Sequence, residues 1–213
     1  MTVGVTIDHT TKTCEFGPLR VRYDDRVLAP RPWTLLQSRH AAAWLAHGPP
    51  GPIIELHCGA GYIGQAAALW SGRELVQVDD DPASCTWARR NADDNGITSD
   101  VRCQPLEALR HGDGPFALVL ADPPYVPSAE TIRFRDDPRH AIDGGSDGLD
   151  GFRACVPRAA NLTSPRGAVV LQVRGPRQAS AVTDLVHRSV PELRVQATVT
   201  VSRDRALVAL VRR

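Results

Sequence analysis

A chain of 213 residues is long enough for one domain with a sizeable hydrophobic core, and its formal net charge of +1 disfavours a large nucleic-acid footprint. No run approaches the roughly eighteen consecutive apolar residues of a membrane span, and the N-terminus lacks the basic-then-apolar pattern of a signal peptide, so the cytoplasm is the default location. The five scattered cysteines contain no C-x-x-C and the seven histidines no H-x-x-x-H pair, which argues against a disulfide framework and leads us to expect no metal.

Residues 3–23 read as two short strands around the turn-like Asp8–Thr13 cluster. Thr34–His47 reads as a helix with Thr34 as a possible N-cap, stopped by the Gly48–Pro52 run. From Ile53 onward strands and helices alternate. Strand Ile53–Cys58 precedes helix Tyr62–Trp70, and strand Glu74–Val78 precedes helix Pro82–Asp94. Val101–Cys103 is a short strand followed by a short helix or turn, and Phe116–Ala121 is a strand apolar throughout. A loop over 122–146 follows, then a helix from about Leu149, strand Gly167–Val173 and helix Arg177–His187. Such alternation predicts an α/β protein whose parallel sheet is covered on both faces. The end differs: Leu193–Val201 and Arg205–Val211 flank a short polar stretch and predict a hairpin with its last strand antiparallel.

The first strand-to-helix turn holds Gly59-Ala60-Gly61-Tyr62-Ile63-Gly64, a G-x-G-x-x-G match. Glycine lets backbone approach a ligand closely and turn sharply into a helix. Asp79 ends the next strand, twenty residues after Gly59, where a carboxylate can accept both ribose hydroxyls of an adenosine. That suits NAD and S-adenosylmethionine equally. We count Glu55, His57, Gly59, Gly61, Asp79 and Asp80 as cofactor-side candidates. His57 would shape the pocket wall, and Cys58 reads as a small buried hydrophobe. Asp80 or Asp81 also suits the acidic N-terminus of a helix.

Asp122-Pro123-Pro124-Tyr125 ends the apolar strand, and an NAD reading supplies no reason for it. Two prolines remove two backbone donors and leave carbonyls free to accept. Asp122 adds a side-chain acceptor and Tyr125 a flat face. Together they suit a planar NH2 group, whose delocalised lone pair needs orientation and electrostatic help to attack a methyl group. Asp122, Pro123, Pro124 and Tyr125 are therefore the catalytic candidates, with Asp122 also bordering the cofactor.

These motifs resemble those of class I S-adenosylmethionine-dependent methyltransferases, and more specifically the HemK-type protein-glutamine N5-methyltransferases. That family's motif runs Asn-Pro-Pro-Tyr-Val-Pro and continues into a glycine-rich loop and an arginine. Here Asp122-Pro123-Pro124-Tyr125-Val126-Pro127 is followed by Gly144, Gly145, Asp147, Gly148, Leu149 and Arg153. Upstream, Pro30-Arg31-Pro32 is similar to the family's segment over the cofactor pocket, and the resemblance covers residues 27–213 in order. It implies a Rossmann-like class I methyltransferase fold, with a seven-stranded mostly parallel sheet and an antiparallel C-terminal hairpin. It also implies S-adenosylmethionine as cofactor, a release-factor-like protein substrate, and a division into a cofactor-covering segment (1–33) and a methyltransferase domain (34–213).

The chain departs from the family at three points. Asp122 stands where the family usually has Asn, as in many adenine- and guanine-amino methyltransferases. Gln104-Pro105 stands where many relatives have an Asp beside the adenine, so Gln104 would make that contact through its backbone. About thirty residues precede the Pro-Arg-Pro segment, which matches short forms without an N-terminal docking domain and brings a small activator partner into consideration. The alternatives are methylation of an exocyclic amine of RNA or DNA, a small-molecule acceptor, and a module that only binds the cofactor. A basic loop surface from Arg133, Arg135 and Arg139 would favour the first of these.

Overall fold

In the computed structural model, which describes residues 9–213, the elements follow in this order. A hairpin of β1 (Lys12–Phe16) and β2 (Leu19–Tyr23) precedes α1 (Leu35–Leu45). Then come β3 (Ile53–Leu56), α2 (Tyr62–Ser71), β4 (Leu75–Asp79), α3 (Pro82–Asp94), β5 (Ser99–Cys103) and β6 (Phe116–Ala121). The chain continues through α4 (Arg139–Ile142), α5 (Asp150–Leu162), β7 (Thr163–Val173), α6 (Gly175–Ser189), β8 (Leu193–Ser202) and β9 (Arg205–Arg212).

Strand β6 is apolar and buried at every position, so it needs cover on both faces. Leu118 and Leu120 enter one core with α2 and the β1–β2 hairpin, while Val119 and Ala121 enter the other with α5 and α6. The sheet has seven strands in the order β5-β4-β3-β6-β7-β9-β8. Strands β3 to β7 pair in parallel, and β9 lies antiparallel between β7 and β8. The predicted fold class, including the C-terminal hairpin, is the observed one.

The chain steps outward from β3 to β4 to β5, then returns to place β6 on the other side of β3. This reversal is a topological switch point, and ligands bind beyond the C-terminal strand ends there. In register, Leu56 of β3 lies beside Ala121 of β6. The glycine-rich turn after β3 and the Asp-Pro-Pro-Tyr turn after β6 are thereby neighbours, although about sixty residues apart in sequence.

Several local expectations are corrected. The first hairpin turns at Gly17-Pro18; of the cluster expected to separate two strands, His9–Thr11 precede β1 and Lys12 and Thr13 lie within it. Gly17 supplies the positive φ that the threonines of that cluster resist. The expected first strand, residues 3–7, and Asp8 of the expected turn lie outside the described residues. Thr34 caps nothing through its side chain: Pro32–Thr34 forms a 3-10 turn running into α1, and the Thr34 hydroxyl donates to the Arg31 carbonyl at 2.8 Å. The loop over 122–146 carries a 3-10 segment, Ser128–Arg133, as well as α4. The β1–β2 hairpin is held to α3 by side-chain amides acting as backbone mimics. Asn91 and Asn95 each pair with both the amide and the carbonyl of Arg22 and Arg20, at 2.8–3.0 Å.

Candidate active site

Two cavities meet at Asp122. The first, about 200 Å³, lies over the glycine-rich turn and is lined by His57, Gly59, Asp79, Asp80, Asp122 and Pro124, among others. His57 and Gly59 both turn with positive φ (55° and 53°). A Cβ added at Gly59 would find no protein atom within 4 Å, so the space above it is the cavity's. Asp79 shapes this turn: one carboxylate oxygen accepts the Gly59 amide at 2.8 Å and the other accepts the Asp81 amide at 3.0 Å. Burial pushes its pKa up, against the pull of those two amides. Asp81 takes the helix-cap role, accepting the Ser84 amide at 2.7 Å, and leaves Asp80 exposed at the cavity rim. Burial lowers the pKa of His57, and its Nε2 is enclosed without a partner among the described residues.

Three cofactor-side candidates lie elsewhere. Glu55 is 2 % exposed and sits beneath the turn. Its carboxylate accepts from Gln77 Nε2 at 2.5 Å and from the Gly64 amide, and burial raises its pKa well above the usual carboxylate range. Gln77 reaches on to the Gly61 carbonyl at 2.9 Å, so Glu55 and Gln77 support the turn from below. Gly61 belongs to this support and does not line the cavity. Gln104 lines neither cavity, and its amide already donates to the Asp79 carbonyl at 2.9 Å. The backbone donor expected for the adenine is therefore spent in the sheet. Cys58 packs with Cys85, Ala88 and Val101 as a small hydrophobe.

The second cavity, about 330 Å³, lies beyond Asp122 and is lined by Pro123, Tyr125, Arg31, Trp33, Phe134 and Arg205, among others. Leu28 and Ala141 border both cavities, whereas of Pro30-Arg31-Pro32 only Arg31 lines a cavity, and that is the second, not the cofactor-side cavity the resemblance placed beneath this segment. Asp122 Oδ1 is buried without a partner among the described residues, and burial raises the Asp122 pKa to about 7. The Pro123 carbonyl accepts no hydrogen bond from them either. Burial likewise raises the pKa of Tyr125, keeping it a neutral phenol.

Sequence reasoning missed the residues that hold this turn in place. Gln178 of α6 donates to the carbonyls of Tyr125 and Gly148 at 3.0 Å each, and accepts the Arg174 amide at 2.7 Å. Gln37 of α1 donates to the carbonyls of Ala121 and Val170, fastening the end of β6 and the interior of β7 to α1. Arg31 forms a forked pair with Asp137 at 2.5 and 2.6 Å, tying the covering segment to the long loop. No local motif marks Gln178 or Gln37, because each acts on carbonyls distant in sequence. Of the three loop arginines whose basic surface would favour a nucleic acid, Arg133 pairs with Glu130 at 3.2 Å and Arg139 with Asp143 at 3.0 Å.

Comparison with known proteins agrees with this geometry. A family model described as the methyltransferase small domain matches residues 39–134. Release factor glutamine methyltransferase of Deinococcus radiodurans is 33% identical over 181 residues, covering 82% of this chain and 64% of that protein. The enzyme of the same name from Bradyrhizobium diazoefficiens is 35% identical over 196 residues, covering 86% and 64%. The chain thus spans a little under two thirds of the length of these relatives. Among solved structures, the 16S rRNA N2 G1207 methyltransferase of Thermus thermophilus, in complex with AdoMet and guanosine, superposes with a TM-score of 0.68 at 17% identity. That match covers 96% of this chain and 50% of the other, and it speaks for the fold. With its switch-point turn, its Asp-Pro-Pro-Tyr turn and its inserted antiparallel strand, the chain has the fold of the class I S-adenosylmethionine-dependent methyltransferases, and its sequence is similar to the release factor glutamine methyltransferases.

Proposed function

We propose that this protein transfers a methyl group to a side-chain amide nitrogen of a protein, a glutamine N5, with a release factor as the first substrate class to test. The observation that carries the reading is the Asp122 carboxylate, with a buried and unpartnered oxygen at the junction of two cavities. The release factor substrate is suggested by the names of the relatives.

The first cavity fits the cofactor. Its lining includes Asp79, Asp80 and Asp122 but no Lys or Arg. A cationic sulfonium is drawn to such a lining, whereas a pyrophosphate is repelled by it. Asp79 would hold the ribose hydroxyls, and the open space over Gly59 would admit the ligand's backbone-facing side. S-adenosylmethionine supplies an electrophilic methyl group when bound. Everything else falls to the chain's own residues. Asp122 and the Pro123 carbonyl accept the two protons of the acceptor NH2 and turn its lone pair toward the first cavity. Tyr125 gives the amide plane a flat surface. Asp122 can then take the released proton, for which a pKa near neutrality is well matched. No covalent nucleophile is needed.

A second reading, methylation of a nucleobase amine, draws on Asp122 itself, since a carboxylate accepts from such an amine equally well. The internal pairing of Arg133 and Arg139 counts against it. Labelled methyl transfer from S-adenosylmethionine into a lysate, split between protease and nuclease, tests the proposal. Label lost to protease and mapped to a glutamine is the expected result. Label lost to nuclease instead would replace it with the second reading.

A further inference from the structure

We infer that Arg205, laid flat on Trp33, forms a subsite for backbone carbonyls of the peptide segment that carries the acceptor amide. This rests on the protein-amide reading above and narrows what the second cavity takes.

The Arg205 guanidinium carbon stands 3.8 Å from the centre of the Trp33 ring, and both residues line the second cavity. Stacking covers one face of the guanidinium but leaves its N–H donors, which lie in its plane, free to bond. The neighbouring arginines are already engaged. Arg31 is forked onto Asp137, and Arg174 pairs with Glu130 at 2.9 Å. Among the described residues, Arg205 has no carboxylate within 4.0 Å and its side chain makes no hydrogen bond to the protein, though it is half-buried.

Its position is fixed by the fold. Arg205 opens β9 opposite Ser202 of β8, and its neighbour Ala206 is in register with Val173 of β7. The turn before it presses on the start of α6: a Cβ on Gly175, whose φ is +67°, would come within 1.9 Å of the Arg203 carbonyl oxygen. The donors are therefore held in place before any substrate arrives, which lowers the ordering cost of binding.

The charge of the cavity selects the ligand chemistry. Arg31, Arg174 and Arg205 on its wall are matched by Asp122, Asp137 and Asp204. A phosphate or carboxylate entering beside Arg205 would also meet these acids, whereas a neutral peptide carbonyl gains the hydrogen bonds without the repulsion. The subsite thus favours a peptide over a nucleic-acid strand, and it would grip main chain regardless of the side chains flanking the glutamine.

The test uses a peptide spanning the glutamine that the labelling experiment maps. Arg205→Ala should raise the KM for this peptide about tenfold or more, with kcat changed less than about threefold and S-adenosylmethionine affinity unchanged. Arg205→Lys should recover less than half of the loss, since an ammonium lacks the planar fork. Replacing each peptide bond within two residues of the glutamine by an ester, in turn, weakens one carbonyl acceptor at a time. At least one ester peptide should bind the unaltered protein several-fold worse yet bind Arg205→Ala no worse than the parent peptide. A KM within twofold of the unaltered protein, an equal loss of cofactor affinity, or ester peptides that affect both proteins alike would each overturn the subsite and leave the amide reading standing. Absence of any methylated glutamine overturns the amide reading, and the subsite with it.

Discussion

In the proposed reaction Asp122 must do two things that pull its proton affinity in opposite directions. Accepting hydrogens from an amide requires the carboxylate, while burial without a partner favours the neutral acid and raises its pKa to about 7. The kcat/KM for the acceptor should therefore rise between about pH 5.5 and 8 with a midpoint near 7. Asp122→Asn keeps an acceptor oxygen but has no proton to lose, so its profile should be flat across that interval. Asp122→Ala removes the acceptor and should cost about 10²- to 10³-fold in kcat. An unaltered protein with a flat profile, or an alanine variant within a few-fold of it, would contradict this role. The same group bears on stability. Its folded pKa lies above the unfolded value of 3.8, so the folded state holds the proton more tightly. Stability from this group is complete below about pH 4 and is lost as pH rises to about 7, by at most about 1.4 kcal/mol per pH unit. Urea melts should show Asp122→Asn more stable than the unaltered protein at pH 8, with the advantage shrinking toward pH 4.

Asp79 carries the other cavity in the same way. Its two oxygens hold the Gly59 and Asp81 amides, so Asp79→Ala removes both the proposed ribose acceptor and the brace of the turn. Calorimetry should show S-adenosylmethionine binding weakened about 10- to 100-fold; unchanged affinity would remove Asp79 from the site. Asp79 and Asp122 stand out as candidates in the sequence because each lies at the C-terminal end of a strand, where ligands bind in such sheets. Glu55, also counted as a candidate, lies inside the ladder between Gln77 and Leu120. A side chain there points out of a sheet face into the core, not off the strand end.

At the scale of elements, the parts legible in the sequence were those with strong local chemistry. Pro82 and Asp94 bound α3 as expected, and the unbroken apolar run Phe116–Ala121 is β6 to the residue. The parts that were not legible depend on contacts between elements. Gln178 is a polar residue in the first turns of an amphipathic helix, with nothing local to set it apart, yet it ties the Asp-Pro-Pro-Tyr turn to the Gly144–Gly148 loop. Gln178→Ala leaves the carbonyls of Tyr125 and Gly148 without their donor, a loss of about 1–3 kcal/mol in unfolding free energy. Because the freed turn carries the proposed acceptor site and not the cofactor turn, kcat should fall at least fivefold while S-adenosylmethionine affinity stays within twofold. Equal losses in both would mean that Gln178 supports the fold in general and not this turn.

At the scale of the whole molecule, the order of the strands assembles the site. The G-x-G-x-x-G pattern by itself allows a dinucleotide, and the fold around it decides otherwise. The return of the chain from β5 to β6 sets Asp122 beside the glycine-rich turn. The cavity between them is then lined by three carboxylates and no lysine or arginine. A pyrophosphate would enter this field against like charge, and a sulfonium would enter with it. Selectivity should be visible in the stability of the intact chain, because a ligand that binds only the folded state stabilises it by mass action. S-adenosylmethionine at 100 times its dissociation constant contributes about 2.7 kcal/mol. For a chain of this length that corresponds to a rise in Tm of about 5–10 °C. S-adenosylhomocysteine, which lacks the sulfonium charge, should bind through the same adenosine contacts. NADH at the same concentration should leave Tm within about 1 °C of the free protein. A comparable shift with NADH would mean that the acidic lining does not govern the choice, and the cofactor-side roles of Asp79 and Asp122 would have to be reassigned.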